Sequence, residues 1–447
     1  MSHSDVPNPL AARWHRLVPA LAAAATLASP PAAGTALYSR QTGQVCAACH
    51  TAPPELTPFG RRFMLGGFTM TGGNRGVPLS GYVETAFTHT SKNDPAPAKH
   101  LGPNDNARVQ RVKGISGGAI TDNVGAFAEV VYRPVAGRLQ LGNVDLRWSD
   151  SATLGRHDLL YGMTVNNNPG FQDPWNSTLA RMWPFARTVA GPMPRATPLL
   201  DGPLAQRAFG ASLYGFLDDA WYAELGGYGG IGRSAQETLG LDADNARRID
   251  GVALYGRLAR EARLPGGSLT VGASTLFADL NRPGGLGGGT DGVRNIGVDL
   301  LWQWALGPHE TTLRAAVNHE RWSTGSGIVQ GFASQAYNHL DSLKVSASYL
   351  YAKNTSATVG YFRRTGSTDA LFFGTANGRP DTAGLQFDAF VINPFFAPPK
   401  WHPGMRTRVG VTLTHYTAFD GARDDDGAHG RKASDNDTVF LYVLWAF

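Results

Sequence analysis

From Leu79 to the C-terminus the chain alternates apolar and polar residues with a period of two, in runs of roughly ten residues. Between residues 295 and 306, Ile296, Val298, Leu300, Trp302, Trp304 and Leu306 fall on one face, and Asn295, Asp299 and Gln303 on the other. Val144, Leu146 and Trp148 likewise oppose Asn143, Asp145 and Arg147, and Leu343, Val345, Ala347, Tyr349 and Tyr351 oppose Ser342, Lys344, Ser346 and Ser348. Successive side chains of a strand point to opposite faces, so this pattern specifies strands. Ten residues exceed the usual length in soluble sheets and suit a strand tilted across a bilayer. About sixteen such runs are present, the first at 79–90 and the last at 436–447. The number is even, as bacterial barrels require.

The connections support the same reading. Short turns at Thr121-Asp122, Leu217-Asp218, Gly307-Pro308 and Ala352-Lys353-Asn354 alternate with longer loops at 91–106, 166–205, 230–247, 278–292, 321–338, 365–382 and 418–435. Short periplasmic turns and long outer loops are the asymmetry of outer-membrane barrels. A short outer connection near 134–138 and a long inner one at 393–405 depart from it. Val439, Leu441, Val443, Trp445 and Phe447 alternate up to a terminal aromatic, resembling the last-strand signal of outer-membrane proteins. A soluble sandwich or propeller is the competing architecture, but no blade repeat is found.

Composition fits the barrel. Only 17% of residues are charged, against roughly 25% in soluble domains, and the chain has 55 glycines and ten tryptophans. Mean hydropathy is −0.20, because an apolar lipid face and a polar lumen face average out. The net charge of +5 is diffuse and implies no nucleic-acid partner. The expected fold is therefore all-β: an antiparallel outer-membrane barrel over residues 77–447, with lipid as its surroundings.

Residues 1–36 read as an export signal. Arg13, His15 and Arg16 precede a short apolar run from Leu17 to Ala28, with cleavage expected after Ala33 or Ala36. That run is too short to cross a membrane as a helix. The next segment, 37–76, holds Cys46-Ala47-Ala48-Cys49-His50, the C-x-x-C-H pattern of c-type haem attachment. Two thiols add to the porphyrin vinyl groups, and the histidine becomes the proximal iron ligand. Both cysteines of the chain lie in this motif. A zinc site would need two further ligands of matching spacing, and a redox pair a βαβ context; neither is visible.

Pro53, Pro54 and Pro58 preclude a long helix directly after His50, and Gly60, Gly66 and Gly67 are expected to break the chain beyond Pro58. About forty residues cannot enclose a haem and bury a core unaided, so the segment is expected to dock on the rest of the chain. A sixteen-strand barrel has an open lumen, and its apolar band is about 25 Å tall. A single haem serving donors outside must therefore sit within the barrel, as a plug.

Tyr38-Ser39-Arg40-Gln41-Thr42-Gly43, the C-x-x-C-H, then Leu56-Thr57-Pro58-Phe59-Gly60-Arg61 with Phe63 and Gly67-Phe68-Thr69-Met70 together resemble one family. It is the outer-membrane monohaem cytochrome–porin fusions of iron-oxidising bacteria. The likeness covers about the first forty mature residues; Met64 stands where a lysine is expected and Phe68 where a tyrosine is. The block from Tyr161 through Asn166-Asn167-Asn168-Pro169 to Asp173-Pro174-Trp175-Asn176 resembles a broader set of cytochrome–barrel proteins with no assigned donor. The resemblance implies electron transfer across the outer membrane, with Fe(II) as donor.

The expected cofactor is one covalent haem c held by Cys46, Cys49 and His50. Candidates for the distal ligand are Met70 and Met64, with His89 in the lumen or His100 in a loop competing. Both methionines also suit apolar packing. Arg40, Arg61 and Arg62 are candidates to pair with haem propionates. The loop 166–205, rich in proline and carrying Phe171, Trp175, Trp183 and Phe185, is expected to fold inward. Asp424, Asp425, Asp426 and His429 in the last outer loop offer ligands suited to transient Fe(II) capture, or simply a solvated charged loop.

Three functions stand as alternatives. The first is electron transfer from extracellular Fe(II), or another donor, to a periplasmic cytochrome or cupredoxin. The second is a transport porin whose haem segment is a gate or redox sensor. The third, a periplasmic peroxidase, normally uses two haems, and only one C-x-x-C-H is present.

Overall fold

The computed structural model describes residues 37–72, 79–95, 97–243, 247–281, 289–393, 406–424 and 430–447. The export signal, and Asp425, Asp426 and His429, lie outside the described residues.

Sixteen antiparallel strands close into one barrel. The first eight are β1 (Leu79–Thr90), β2 (Asn106–Ala119), β3 (Val124–Arg133), β4 (Arg138–Leu154), β5 (His157–Asn166), β6 (Ala208–Leu217), β7 (Trp221–Gly230) and β8 (Arg248–Leu264). The others are β9 (Gly267–Asn281), β10 (Asp291–Leu306), β11 (His309–Ser323), β12 (Tyr337–Tyr351), β13 (Thr355–Gly366), β14 (Thr382–Ile392), β15 (Arg406–Ala418) and β16 (Thr438–Ala446). Each strand pairs with its sequence neighbours, and β1 pairs with β16 from Tyr82↔Ala446 to Thr90↔Thr438. The terminal Phe447 exchanges backbone hydrogen bonds with Gly81 at 2.9 and 3.0 Å, which fastens the seam.

The alternation is inverted relative to a soluble sheet. On β10 the polar Asn295, Asp299 and Gln303 are buried toward the lumen, while Ile296, Val298 and Trp302 are exposed on the outer surface. A closed barrel leaves no backbone edge to be satisfied, so its apolar exterior can face hydrocarbon. This chain is an outer-membrane β-barrel. Strand ends run past the apolar pattern: β4 continues to Leu154, pairing Asp150↔Tyr161 through Leu154↔His157. Polar side chains there hide the strand from a hydropathy reading, although the ladder continues.

Residues 37–72 sit in the end of the barrel where both barrel termini and the short turns lie, which is the periplasmic end. They form α1 (Leu37–Thr42), α2 (Cys46–Cys49) and α3 (Pro58–Leu65). The expectation that Gly60 breaks the chain is corrected: it lies inside α3. Pro58 occupies the first turn, where no N–H is missed, and Thr57 caps the helix by accepting from Gly60 N at 3.2 Å. A Cβ on residue 60 would come within 2.2 Å of the Cys49 carbonyl oxygen, so glycine permits close packing of α3 on the C-x-x-C-H turn. Gly66 and Gly67, the latter at φ +70°, do end the helix.

Residues 167–207 connect β5 to β6 and fill the lumen from the other side, with Phe171, Trp175, Met182, Trp183 and Leu204 all buried. The inward folding expected of this loop is what the structure shows. Between plug and loop, lumen-facing charges such as Arg147, Arg257, Arg314 and Glu320 are buried as deeply as a protein core.

Candidate functional site

Cys46 and Cys49 lie one helical turn apart on α2, as free, half-buried thiols. His50 leaves the helix in an extended conformation. Thr57 ties α2 to α3: its hydroxyl donates to Ala48 O at 2.6 Å and its N–H to Cys49 O at 2.9 Å. His50 Nδ1 lies 3.1 Å from Glu55 O. The backbone oxygen can only accept, so Nδ1 carries the proton and Nε2 keeps its lone pair. Desolvation in the lumen pulls the His50 pKa down to about 4, against opposing hydrogen bonds to the Glu55 and Pro54 backbone. Burial pushes the Cys49 thiol up, and Cys46 adds to the effect.

The loop carrying His50 is fastened to the wall. Glu55 pairs with the buried Arg314 of β11, and Arg408 of β15 donates to Pro53 O at 3.1 Å. Ala52 packs among Leu350, Phe390, Ile392, Phe440 and Tyr442. Two thiols on one turn, followed by a neutral imidazole whose Nδ1 is turned to a backbone carbonyl, fit the donor set of a covalently attached haem. A fixed Nδ1–H···O=C bond is the usual way such a ligand is oriented.

The remaining candidates are distributed differently. Met64 is buried with Phe63 and Phe68, against Tyr38, Leu56 and Phe127, whereas Met70 is 43% exposed. Arg40 donates to the Leu79 carbonyl. Arg62 pairs with Asp219 in the turn between β6 and β7. Arg61 is fully buried and directs its donors at the barrel wall, to Glu261 at 2.6 Å, Gln303 at 2.8 Å and Ser268 at 3.2 Å. It therefore joins plug to wall. His89 is not in the lumen: the phase of β1 turns it outward, where it meets Asp105 at 2.7 Å. His100 lies exposed in the first outer loop.

Glu261 of β8 is the residue that sequence reading missed. One carboxylate oxygen holds Arg61, and the other accepts from Trp175 Nε1 at 2.7 Å, so one side chain bridges plug and inner loop. Trp175 packs with Leu65, Phe216 and Tyr222. Asp173 orders the same loop by accepting from the backbone of Trp175, Ser177 and Thr178, and it faces Arg257 at 3.5 Å. On the plug side, Arg147 donates to Met64 O at 3.2 Å, and Tyr214 donates to Leu65 O. The available signal was an ionisable residue at an inward position of a membrane strand, which is costly unless partnered.

The outer part of the inner loop is held by Asp201, which meets Lys344 at 2.6 Å, Arg364 at 3.0 Å and Arg187 at 3.3 Å. Burial pushes the Asp201 carboxyl up, but Lys344, Arg187 and Arg364 outweigh it and hold it far below the usual carboxylate range. The depressed value sets the sign. Stabilisation is complete above the ordinary aspartate pKa of about 3.9 and fades only as pH falls toward the depressed one. Pepsin at about pH 3.5 should therefore leave residues 167–207 uncut in the wild type and cleave them in Asp201→Asn. Equal cleavage of both proteins would remove Asp201 as the anchor.

The fold and its contents define a class: a closed sixteen-strand outer-membrane barrel of the porin kind, with its lumen occupied from both ends. No protein-family model and no curated protein matches the sequence. Among solved structures, an anion-selective porin from Comamonas acidovorans is 12% identical, with 83% of this chain and 99% of that chain covered and a TM-score of 0.46. The loop L8 deletion mutant of OmpT from Vibrio cholerae is 12% identical over 83% and 99% of the two chains, with a TM-score of 0.44. The outer membrane channel DcaP of Acinetobacter baumannii is 13% identical over 83% and 97%, with a TM-score of 0.44. The outer-membrane assignment stands on the closed barrel and its apolar exterior.

Proposed function

We propose that this chain is an outer-membrane c-type cytochrome fused to a porin-like barrel, carrying electrons from extracellular Fe(II) to a periplasmic cytochrome or cupredoxin. The observation that carries the proposal is the position of the C-x-x-C-H turn, in a segment bonded to the lumen wall through Arg61, Glu55 and Pro53. Haem c, attached through Cys46 and Cys49 with His50 as axial ligand, would supply a one-electron iron couple. The protein's own residues supply the rest. Glu55 O and Arg314 fix the imidazole, the apolar cluster around Phe63 shields the segment, and the inner loop excludes bulk water. Met70, 43% exposed, is the less constrained candidate for the distal position, whereas Met64 would have to leave its packing. Electron tunnelling falls off exponentially with distance, so seating the motif inside an apolar band about 25 Å tall brings both faces nearer than any periplasmic position could. A filled lumen with buried charges also argues against free solute passage.

Anaerobic mixing of the purified holoprotein with Fe(II) tests this directly. The Soret and α bands should shift promptly to the reduced form. Liposome swelling without any haem reduction would instead support a gated porin.

A further inference from the structure

A cavity of about 190 Å³ opens at the periplasmic end of the barrel, between α3, the turn that joins β6 to β7 and the end of β8. Phe59 and Phe216 give it apolar walls, Arg61, Arg62 and Arg263 line it with three guanidinium groups, and Glu261 and Asp219 with two carboxylates. Closing the lumen accounts for Arg61 and Glu261. It leaves two further arginines at the mouth to be explained.

The hydrogen-bonding capacity of this cavity is one-sided. Both oxygens of Glu261 are committed, one to Arg61 at 2.6 Å and the other to Trp175 Nε1 at 2.7 Å. Asp219 is committed likewise: Oδ1 accepts from Arg62, and Oδ2 from Arg263 at 3.0 Å. A guanidinium carries five N–H donors. Arg62 and Arg263 each direct one nitrogen at Asp219 and, among the described residues, have no second acceptor. Their side chains are 50% and 70% exposed, so the spare donors stand at the water-facing mouth. Neighbouring acids do not take them up. Asp218 is turned to His157 at 2.6 Å, and the turn between β4 and β5 carries one full charge of each sign near its tip, Arg156 and Asp158. The group that completes the cavity is therefore an acceptor, and two guanidiniums beside a phenylalanine suit a carboxylate.

The position of the cavity in the chain says whose carboxylate. Phe59, 38% exposed, directly precedes Gly60, the residue packed on the Cys49 carbonyl of the C-x-x-C-H turn. A protein seated on Phe59 is thus one residue from that backbone contact. We infer that the cavity is the docking point of a periplasmic electron carrier with an acidic face, one carboxylate of which enters between Arg62 and Arg263. The inference rests on the electron-transfer reading and adds the carrier's charge and its point of contact. On docking, the carrier takes one electron from the reduced haem and is itself reduced by one. An apolar centre with a polar rim is the anatomy of a protein interface, and small, transient interfaces serve electron transfer. Exposed charges of this kind steer the encounter more than they tighten it.

The test is stopped-flow oxidation of the full-length holoprotein, reduced with dithionite and desalted into detergent, by two soluble acceptors. One is plastocyanin, whose docking face is acidic; the other is mitochondrial cytochrome c, whose docking face is basic. At low salt, Arg263→Gln should slow the reaction with plastocyanin about fivefold, the upper worth of one exposed charge pair, and leave that with cytochrome c no slower. Arg62→Gln should act in the same direction, Arg263→Lys should restore most of the rate, and raised salt should erase the difference. Arg263 reaches the plug only through Asp219, so its variants should match the wild type in haem content and reduction potential. Unchanged plastocyanin rates in both Gln variants would overturn the proposal, as would equal slowing of cytochrome c. Arginine-dependent binding of succinate with unchanged plastocyanin rates would give the cavity to a small dicarboxylate and overturn the choice of a carrier. Reduction by dithionite bypasses Fe(II), so a wrong donor leaves this result intact, whereas absence of haem staining ends the cytochrome reading before any variant is made.

Discussion

His50→Ala and Cys49→Ser should each yield a barrel that assembles and remains heat-modifiable, yet the absorbance change on addition of Fe(II) should vanish in His50→Ala and shrink in Cys49→Ser. The loss should be complete for His50→Ala, because the axial imidazole has no substitute among the plug residues bonded to it: its neighbours offer backbone carbonyls and Glu55, which is committed to Arg314. Cys49→Ser leaves one thioether instead of two, so haem staining on a denaturing gel should fall. The barrel should survive because its closure rests on the β1–β16 ladder and the Gly81–Phe447 pair, none of which involves the plug. Disappearance of the folded barrel together with the haem would mean that the two parts fold as one.

Glu261→Ala should have the second largest effect, and on permeability. Arg61 is 1% exposed, and removing its carboxylate partner leaves a buried, unneutralised guanidinium at a cost of about 3–5 kcal/mol. The same change deprives Trp175 Nε1 of its acceptor. Both the plug and the inner loop are loosened at their shared contact. Single-channel recordings should show the variant opening far more often than the wild type, with the plug becoming sensitive to protease from the periplasmic side. Glu261→Gln keeps a hydrogen-bonding group and should be milder. Wild-type conductance from Glu261→Ala would show that the contact does not hold the lumen closed.

Much of the barrel was legible because period-two alternation acts locally, strand by strand. The clear failures are equally local in origin. Gly60 reads as a breaker until the Cys49 carbonyl that it accommodates is seen, and that contact depends on how α3 folds back. The outward position of His89 is not legible because β1 is rich in small and hydroxylated residues, which leave its phase ambiguous. The anchoring of the C-x-x-C-H segment to the barrel wall was hidden from the sequence. Arg61 and Glu261 are 200 residues apart, and Glu55 meets Arg314 from across the lumen; no spacing rule connects them. Inward charges on membrane strands signalled that partners must exist, without saying which.

Proteoliposomes enclosing an oxidised soluble c-type cytochrome, with Fe(II) supplied only outside, put the central claim to its most direct test. The holoprotein should reduce the enclosed cytochrome while small solutes stay excluded, and His50→Ala vesicles should not. An enclosed cytochrome that stays oxidised although the haem is present, or that is reduced equally well with His50→Ala, would contradict the account.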